Sequence, residues 1–344
     1  MQADRLKQRI VIILTTGIFS CTSQIPMEKY EWIPSVNAPK NYPAEVYRGR
    51  FIARDGEVRI PAGHTLGAKN GQDWGMPGPA HYAGNDFHEV PEALEITWLS
   101  YRENKFYTGR FPLPEDTINR LFKKGFEDRK GRQKSYTVIN VGMAPGGKVA
   151  VWLAGSGKKV EIGWFQAKDT LLTAEEFMPG SAVSLEEHIR STIAEDVEAS
   201  EVEQRIPYEQ WETYRKRYLW YPELDFEDKK NTVEEVLITF YNGEDLFTTG
   251  NNPELSVYEE RAVPKHILVT WKDEQENRYR LKTDFDEQEI FGVFRKAFGD
   301  SEEDRLPLLI RVAKGSRDAR IFFRGKEEEI PVNKADLKLY PVSK

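Results

Sequence analysis

Apolar and polar positions alternate over short stretches through most of this chain, the two-residue period of half-buried strands. Glu45 to Arg50 and Phe51 to Ile60 alternate around Asp55-Gly56, and Leu94 to Leu99 and Lys105 to Phe111 alternate around Arg102-Glu103-Asn104. Both read as hairpins, the first because glycine accepts the positive φ that a tight turn demands. Then the period changes. Pro114-Glu115-Asp116 opens a helix with carboxylates at its positive end, and Ile118, Leu121 and Phe122 fall on one stripe. Tyr136 to Val141, Val149 to Leu153 and Lys159 to Phe165 return to alternation between glycine-rich turns, predicting a three-strand meander.

The whole pattern occurs twice. Val90-Pro91, Ile96-Thr97-Trp98 and Glu103-Asn104-Lys105-Phe106 recur as Val263-Pro264, Val269-Thr270-Trp271 and Glu276-Asn277-Arg278-Tyr279. Ile118 and Phe122-Lys123-Lys124 match Ile290 and Phe294-Arg295-Lys296, and Tyr30-x-Trp32-x-Pro34 is echoed by Tyr218-x-Trp220-x-Pro222. So many matches in one order predict a tandem duplication. The expected class is α+β: two mostly antiparallel sheet units, each with one packed helix, over residues 28–168 and, diverged, 215–342. Residues 169–214 belong to neither copy and read as a helical connector. There Ser184-Leu185-Glu186-Glu187 is a capping box for a helix running to Ala199, and Pro207 to Tyr218 reads as a second helix with Tyr208, Trp211, Tyr214 and Tyr218 on one stripe.

The N-terminal residues follow a different pattern. Arg5, Lys7 and Arg9 precede the apolar run Ile10 to Phe19, which is too short to span a bilayer, and Ile18-Phe19-Ser20-Cys21 has the form of a lipobox. Residues 1–20 are therefore expected to be a lipoprotein signal peptide, Cys21 the acylated first residue of the mature chain, and 21–27 a polar tether. With no aspartate after Cys21, the expected address is the outer membrane, facing the periplasm or exposed at the surface. No later stretch approaches the ~20 apolar residues of a membrane span. The net charge is −7, with no basic stripe in the sequence, so nucleic acid is not an expected partner. A single cysteine leaves no internal disulfide, and stability must come from packed cores.

Tyr30-Glu31-Trp32, Ala38-Pro39-Lys40-x-Tyr42-Pro43-x-Glu45-Val46, Gly49-x-Phe51, Trp74-Gly75 and Trp98-x-x-Tyr101-x-Glu103-Asn104-x-Phe106-Tyr107 resemble the domain-of-unknown-function 2931 family. The resemblance implies a bacterial envelope protein, often lipid-anchored, and carries over no catalytic residue. It covers the first unit, and the second only through Trp271 to Phe298.

The segment with most candidate chemistry is Gly63 to Glu89, a long Gly- and Pro-rich loop holding His64, Asp73, Trp74, His81, Asp86 and His88. Loops of this length in compact domains are often functional. Imidazoles and carboxylates are ligands for zinc and similar ions, so these His and Asp residues are the candidate metal ligands, although their spacings match no established ligand motif. Trp74 between polar and glycine neighbours is a candidate stacking platform for a sugar or peptide, or else a lid on a sheet.

Two further motifs lose their functional reading on context. Gly142-Met143-Ala144-Pro145-Gly146-Gly147-Lys148 fits the start of a phosphate loop, but Val149 stands where Ser or Thr should be, and Lys148 leads into a strand. Glu103-Asn104 and Glu276-Asn277 sit at a hairpin tip in both copies, where Asn tolerates the left-handed conformation. No acid–base pair emerges, and no cofactor is expected. The sequence thus favours a non-catalytic envelope protein that binds an envelope or secreted protein, as an inhibitor, immunity factor or assembly factor. The alternative is a glycan- or peptide-binding protein or hydrolase using the Gly63 to Glu89 loop, with or without a metal.

Overall fold

The computed structural model describes residues 28–80, 87–128, 130–250, 252–299, 304–325 and 328–342. The first unit runs through strands β1 (Tyr30–Glu31), β2 (Ile33–Asn37), β3 (Ala44–Ala53), β4 (Gly56–Arg59), β5 (Thr65–Leu66), β6 (Phe87–His88), β7 (Ala93–Ser100) and β8 (Lys105–Pro112). Helix α1 (Glu115–Lys124), then β9 (Phe126–Glu127), β10 (Gln133–Lys134), β11 (Val138–Ala144), β12 (Lys148–Gly155), β13 (Lys158–Gln166) and β14 (Lys168–Thr170) complete it. Four helices follow: α2 (Ala174–Phe177), α3 (Leu185–Asp196), α4 (Ala199–Val202) and α5 (Gln210–Tyr214). The second unit has β15 (Arg217–Phe226), β16 (Thr232–Phe240), β17 (Asp245–Thr249), β18 (Glu259–Ala262), β19 (Pro264–Lys272), β20 (Arg278–Asp284) and helix α6 (Glu287–Phe298). Strands β21 (Arg305–Val312), β22 (Ala319–Arg324), β23 (Glu329–Val332) and β24 (Asp336–Val342) end it. No helix among the described residues is long and apolar enough to cross a membrane.

Each unit is built from two sheets and a helix, in the same order both times. The order β2-β11-β12-β13 in the first unit is matched by β15-β21-β22-β23 in the second, and β14-β8-β7-β3-β4 by β24-β20-β19-β16-β17. In both copies the opening pair is parallel, β2 with β11 and β15 with β21, within otherwise antiparallel sheets. The likeness extends to single residues. One residue bulges out of the ladder, Tyr47 between Val46 and Arg48 and Glu234 between Val233 and Glu235, so that Val46 faces Trp98 and Val233 faces Trp271. Both helices stop at a glycine with positive φ, Gly125 and Gly299. The class is α+β and the unit is duplicated.

The alternation has its expected physical cause. Trp32, Phe51, Leu94, Ile96 and Trp98 point into the first core and meet Ile139, Val151 and Leu153 of the facing sheet, with Ile118 and Phe122 of α1 closing one side. Trp220, Trp271, Leu308 and Phe323 fill the second core with Phe294 of α6, whose ring sits edge-on to Phe323 at 4.6 Å. Burying such side chains contributes about 1.5–3 kcal/mol each, the main favourable contribution in a chain without disulfides.

The two units share a sheet. Strand β13 of the first pairs with β17 of the second, Lys158 opposite Leu246 and Lys159 opposite Asp245, making one continuous ladder β2-β11-β12-β13-β17-β16-β19-β20-β24. Lys159, buried, donates to Asp245 at 3.0 Å across this seam.

The connector is helical but more broken than its periodicity predicts. The Ser184 hydroxyl accepts from the Glu187 N–H at 3.1 Å and caps α3, which ends at Asp196 rather than Ala199. The stretch from Pro207 to Tyr218 forms helix only over Gln210–Tyr214, and Tyr218 is already in β15, against Phe298 at 4.9 Å. Phe177 and Ile189 cover Leu99, Tyr101 and Phe106 on the outer side of the first unit. Tyr214 reaches the second unit, against Tyr241 at 5.2 Å.

Candidate functional site

The long loop of the first unit is pinned down by its own polar groups. The Gly75 N–H donates to Asn37 Oδ1 at 2.9 Å and the Gly75 carbonyl accepts from Asn140 Nδ2 at 3.0 Å. Asn37 Nδ2 in turn donates to the Asp73 carbonyl at 3.2 Å. Trp74 stands edge-on against the fully buried Trp152, ring centres 5.0 Å apart, and Trp152 Nε1 donates to the Asn242 carbonyl of the second unit at 3.2 Å. Beside it the chain passes so close to Gly243 that a Cβ on Gly75 would lie 2.6 Å from the Gly243 Cα. Both glycines have positive φ, 81° and 86°. The loop is a clasp between the units.

Asp73 lies between two ammonium groups, Lys40 of the first unit at 3.2 Å and Lys265 of the second at 2.9 Å. Burial works to raise its pKa, but the bonds to Lys265 and Lys40 outweigh it and hold the carboxyl below the usual range. A carboxylate already balanced by two cations is a poor metal ligand. Trp74 is half-buried and packs edge-on against Trp152, as a lid over the sheet. His88 pairs with Tyr30 across β1 and β6 and lies against Trp32 at 5.3 Å, while His64 is exposed in the turn before β5. His81 and Asp86 lie outside the described residues, as does Cys21. Among the described residues no group of three or more His, Cys, Asp or Glu side chains is placed to hold a metal ion.

The other motifs also resolve. Gly142 to Lys148 is the β11–β12 hairpin, with Ala144 opposite Lys148. Its Gly146 N–H donates to Glu103 at 3.1 Å, and Ser100 and Tyr107 donate to the same carboxylate at 2.7 and 2.8 Å. The glycine turn thus binds an anion, and the anion is the protein's own. At the two hairpin tips the left-handed residue is Asn104 in the first unit but Glu276, not Asn277, in the second. The shared Glu-Asn pair therefore does different work in the two copies.

A charged cluster lies at the junction of units and connector. Arg215 Nε donates to Glu161 at 2.7 Å, and Arg217 to Glu244 at 2.8 Å. Glu244 also accepts from the Glu161 N–H at 2.9 Å. Burial pushes the Glu161 carboxyl up to about 7, against the pull of Arg215. Its second oxygen, buried, has no hydrogen-bond partner among the described residues.

An open concavity lies elsewhere, on the outer face of β14-β8-β7-β3-β4, with a volume of about 960 Å³. Strand register builds it from two rows that cross the strands. One is Arg110, Glu95, Arg50 and Arg59; the other is Lys168, Thr108, Thr97 and Arg48. In the first row Glu95 accepts from Arg110 at 2.6 Å and from Arg50 at 2.8 Å, and Arg50 also reaches Glu57 at 2.9 Å. In the second the Thr97 and Thr108 hydroxyls bond at 2.8 Å. Sequence reading missed this face. Its signal was the alternation of Arg48 and Arg50, Glu95 and Thr97, and Thr108 and Arg110, visible within each strand but not as one surface across strands.

The family model described as "Protein of unknown function (DUF2931)" matches residues 20–209, which takes in the first unit and nearly all of the connector. No curated protein and no solved structure matches the chain. With more than half its length matched, including the Trp74-Gly75 clasp and the Trp98 hairpin described above, the chain belongs to the domain-of-unknown-function 2931 family.

Proposed function

We propose that this chain is a lipid-anchored envelope protein that acts by binding another protein rather than by catalysis, as an inhibitor, immunity factor or assembly factor. The observation that carries the reading is the engagement of Asp73 and Trp74. The segment with most candidate chemistry spends Asp73 on an ion pair with the second unit and Trp74 on packing against Trp152, which itself bonds to that unit. A reaction centre needs groups that are preorganised yet free to meet substrate. The anchor rests on the basic and apolar pattern leading to Cys21.

The test is capture from envelope extract and culture fluid with a tagged chain of residues 22–344, against a tag-only control. A single stoichiometric protein partner is the expected result. Co-purified carbohydrate or metal without any protein would overturn the reading in favour of the loop from Gly63 to Glu89. For the anchor, labelling of cells with a radioactive or clickable fatty acid should mark the protein, and Cys21→Ala should abolish the label and release it from the membrane fraction. Label that survives Cys21→Ala sinks the assignment.

A further inference from the structure

We infer that the basic groove on the outer face of the first unit is a docking site for an acidic segment of a partner protein. This rests on the protein-binding reading above and specifies its chemistry.

The first argument is charge. The groove is lined by five cations, Arg48, Arg50, Arg59, Arg110 and Lys168, and by two carboxylates, Glu57 and Glu95, in a chain whose net charge is −7. The two carboxylates are used up on Arg50 and Arg110. Arg59 and Lys168 make no ion pair among the described residues, and Arg48 lies over the Tyr47 ring at 5.7 Å, with Glu176 of α2 near enough to feel its charge. Arg59 and Lys168 are thus cations without a paired carboxylate and Arg48 is balanced only at a distance by Glu176, and the strand register gathers all three around one concavity.

The second argument is the contrast between the copies. The duplicated scaffold repeats the bulge that sets this face, so equivalent positions can be compared one by one. Arg48, opposite Thr97, corresponds to Glu235, opposite Thr270, and there Glu235 is paired with Arg280 at 3.3 Å. Arg50 and Glu95 correspond to Leu237 and Leu268, which also face each other. The scaffold therefore requires neither the charges nor their sign. Arg110 keeps its sign in the second copy as Lys282, but Arg48, Arg50, Arg59 and Lys168 correspond to Glu235, Leu237, Phe247 and Tyr340, so these four cations belong to something other than the shared scaffold.

The third argument is shape and lining. Tyr47 adds apolar surface to the groove, whose floor reaches the buried Ile60 and Phe111, and the Thr97 and Thr108 hydroxyls lie between the charged ends of one row. Neighbouring strands are about 4.8 Å apart, so Lys168 and Arg48, three strands away from each other, lie roughly 14 Å apart. An extended segment with carboxylates spaced along it and apolar side chains between them spans that distance, which is the acidic-motif mode of recognition by arginine clusters.

The test uses the full chain purified in detergent. Two fluorescent peptides serve as probes, one alternating glutamate with leucine and one alternating glutamine with leucine, titrated by anisotropy. The glutamate peptide should bind, weaken steeply with salt, and protect β3, β7 and β8 from hydrogen exchange; the glutamine peptide should not bind. The triple variant Arg48→Glu, Arg59→Glu, Lys168→Glu should weaken binding by about tenfold or more, with an unchanged urea midpoint, because rim charges steer association without supporting the core. Neutral Gln replacements at the same three positions should weaken it less, and reversal of the exposed Arg320 on the second unit should leave it unchanged. Absence of peptide binding, equal binding by the triple variant, or binding of phosphatidylglycerol vesicles in place of the peptide would overturn the inference. A protein captured by the wild-type chain and captured equally by the triple variant would also overturn it, while leaving the protein-binding reading intact. If no protein is captured but the peptide still binds at these cations, the groove stands and the wider reading falls.

Discussion

Gly75 and Gly243 meet backbone to backbone, and each also has a φ that side chains disfavour. Any Cβ at either position would have to push one unit away from the other. Gly243→Ala is therefore expected to cost roughly 2–5 kcal/mol, strain and steric overlap together, read as a lowered urea midpoint. Gly180 provides the control: its φ is also positive, at 70°, but a Cβ there would meet nothing within 4 Å. Gly180→Ala should cost only about 1–2 kcal/mol, the conformational penalty alone. Equal losses at the two positions would show that close approach at the clasp is not what matters. The same scale shows where sequence reasoning stopped. Asp73 and Trp74 were legible as unusual residues, but their partners Lys265 and Trp152 lie far away in the sequence, so clasp and catalytic loop looked alike.

At the scale of elements, the strands and helices α1 and α6 were legible because burial of one face imposes its period on the sequence. The hairpin of β7 and β8 and helix α1 fall where alternation and stripe place them. The connector was less legible. Tyr214 and Tyr218 are one helical turn apart in sequence, yet β15 begins at Arg217, and Tyr218 is buried by strand alternation with Trp220. Spacing alone could not separate a fourth helical position from the second residue of a strand. The basic face escaped for a related reason, since period 2 says which residues share a side of one strand, while the register that aligns strands is set by bulges at Tyr47 and Glu234. The caps also differ between copies. The Asp286 carboxylate accepts from the Glu289 N–H at 2.8 Å and caps α6, whereas α1 starts at Pro114 without a side-chain cap. Asp286→Ala should therefore cost about 1 kcal/mol in thermal or urea unfolding. Pro114→Ala removes no cap hydrogen bond and should cost distinctly less.

For the molecule as a whole, the junction cluster couples stability to pH. In the folded chain Glu161 holds its proton up to about pH 7, against an ordinary carboxyl value of 4.5 when unfolded. Between those values the folded state binds the extra proton. The stability contributed by this group is thus fully present below the unfolded value and is lost as pH rises through about 7. Glu161→Gln should flatten the fall in urea midpoint between mildly acidic and mildly alkaline buffer. A wild-type midpoint that rises over that interval, with no difference in slope from the variant, would show that the Arg215 pair keeps the carboxyl ionised throughout.

The seam between the units has a consequence for assembly. It joins β13, the edge of one kind of sheet, to β17, the edge of the other kind, and the duplication supplies each edge twice. The counterpart of β13 is β23, and that of β17 is β4; both are terminal in their sheets among the described residues. The joint is therefore head-to-tail, a contact that does not close on itself and that in principle adds copies without limit, as in a filament. What ends the series is written in β23. Register puts Pro331 at the position of Glu161, whose N–H donates to Glu244 across the seam, and proline has no N–H to offer there and is tolerated only at an edge. Pro331→Thr is expected to make sedimentation depend on protein concentration, and an unchanged monomer would show that the stop lies elsewhere. A protein made by repeating a unit has to forbid the next repeat, and here a single imino acid stands at the place where the polymer would continue.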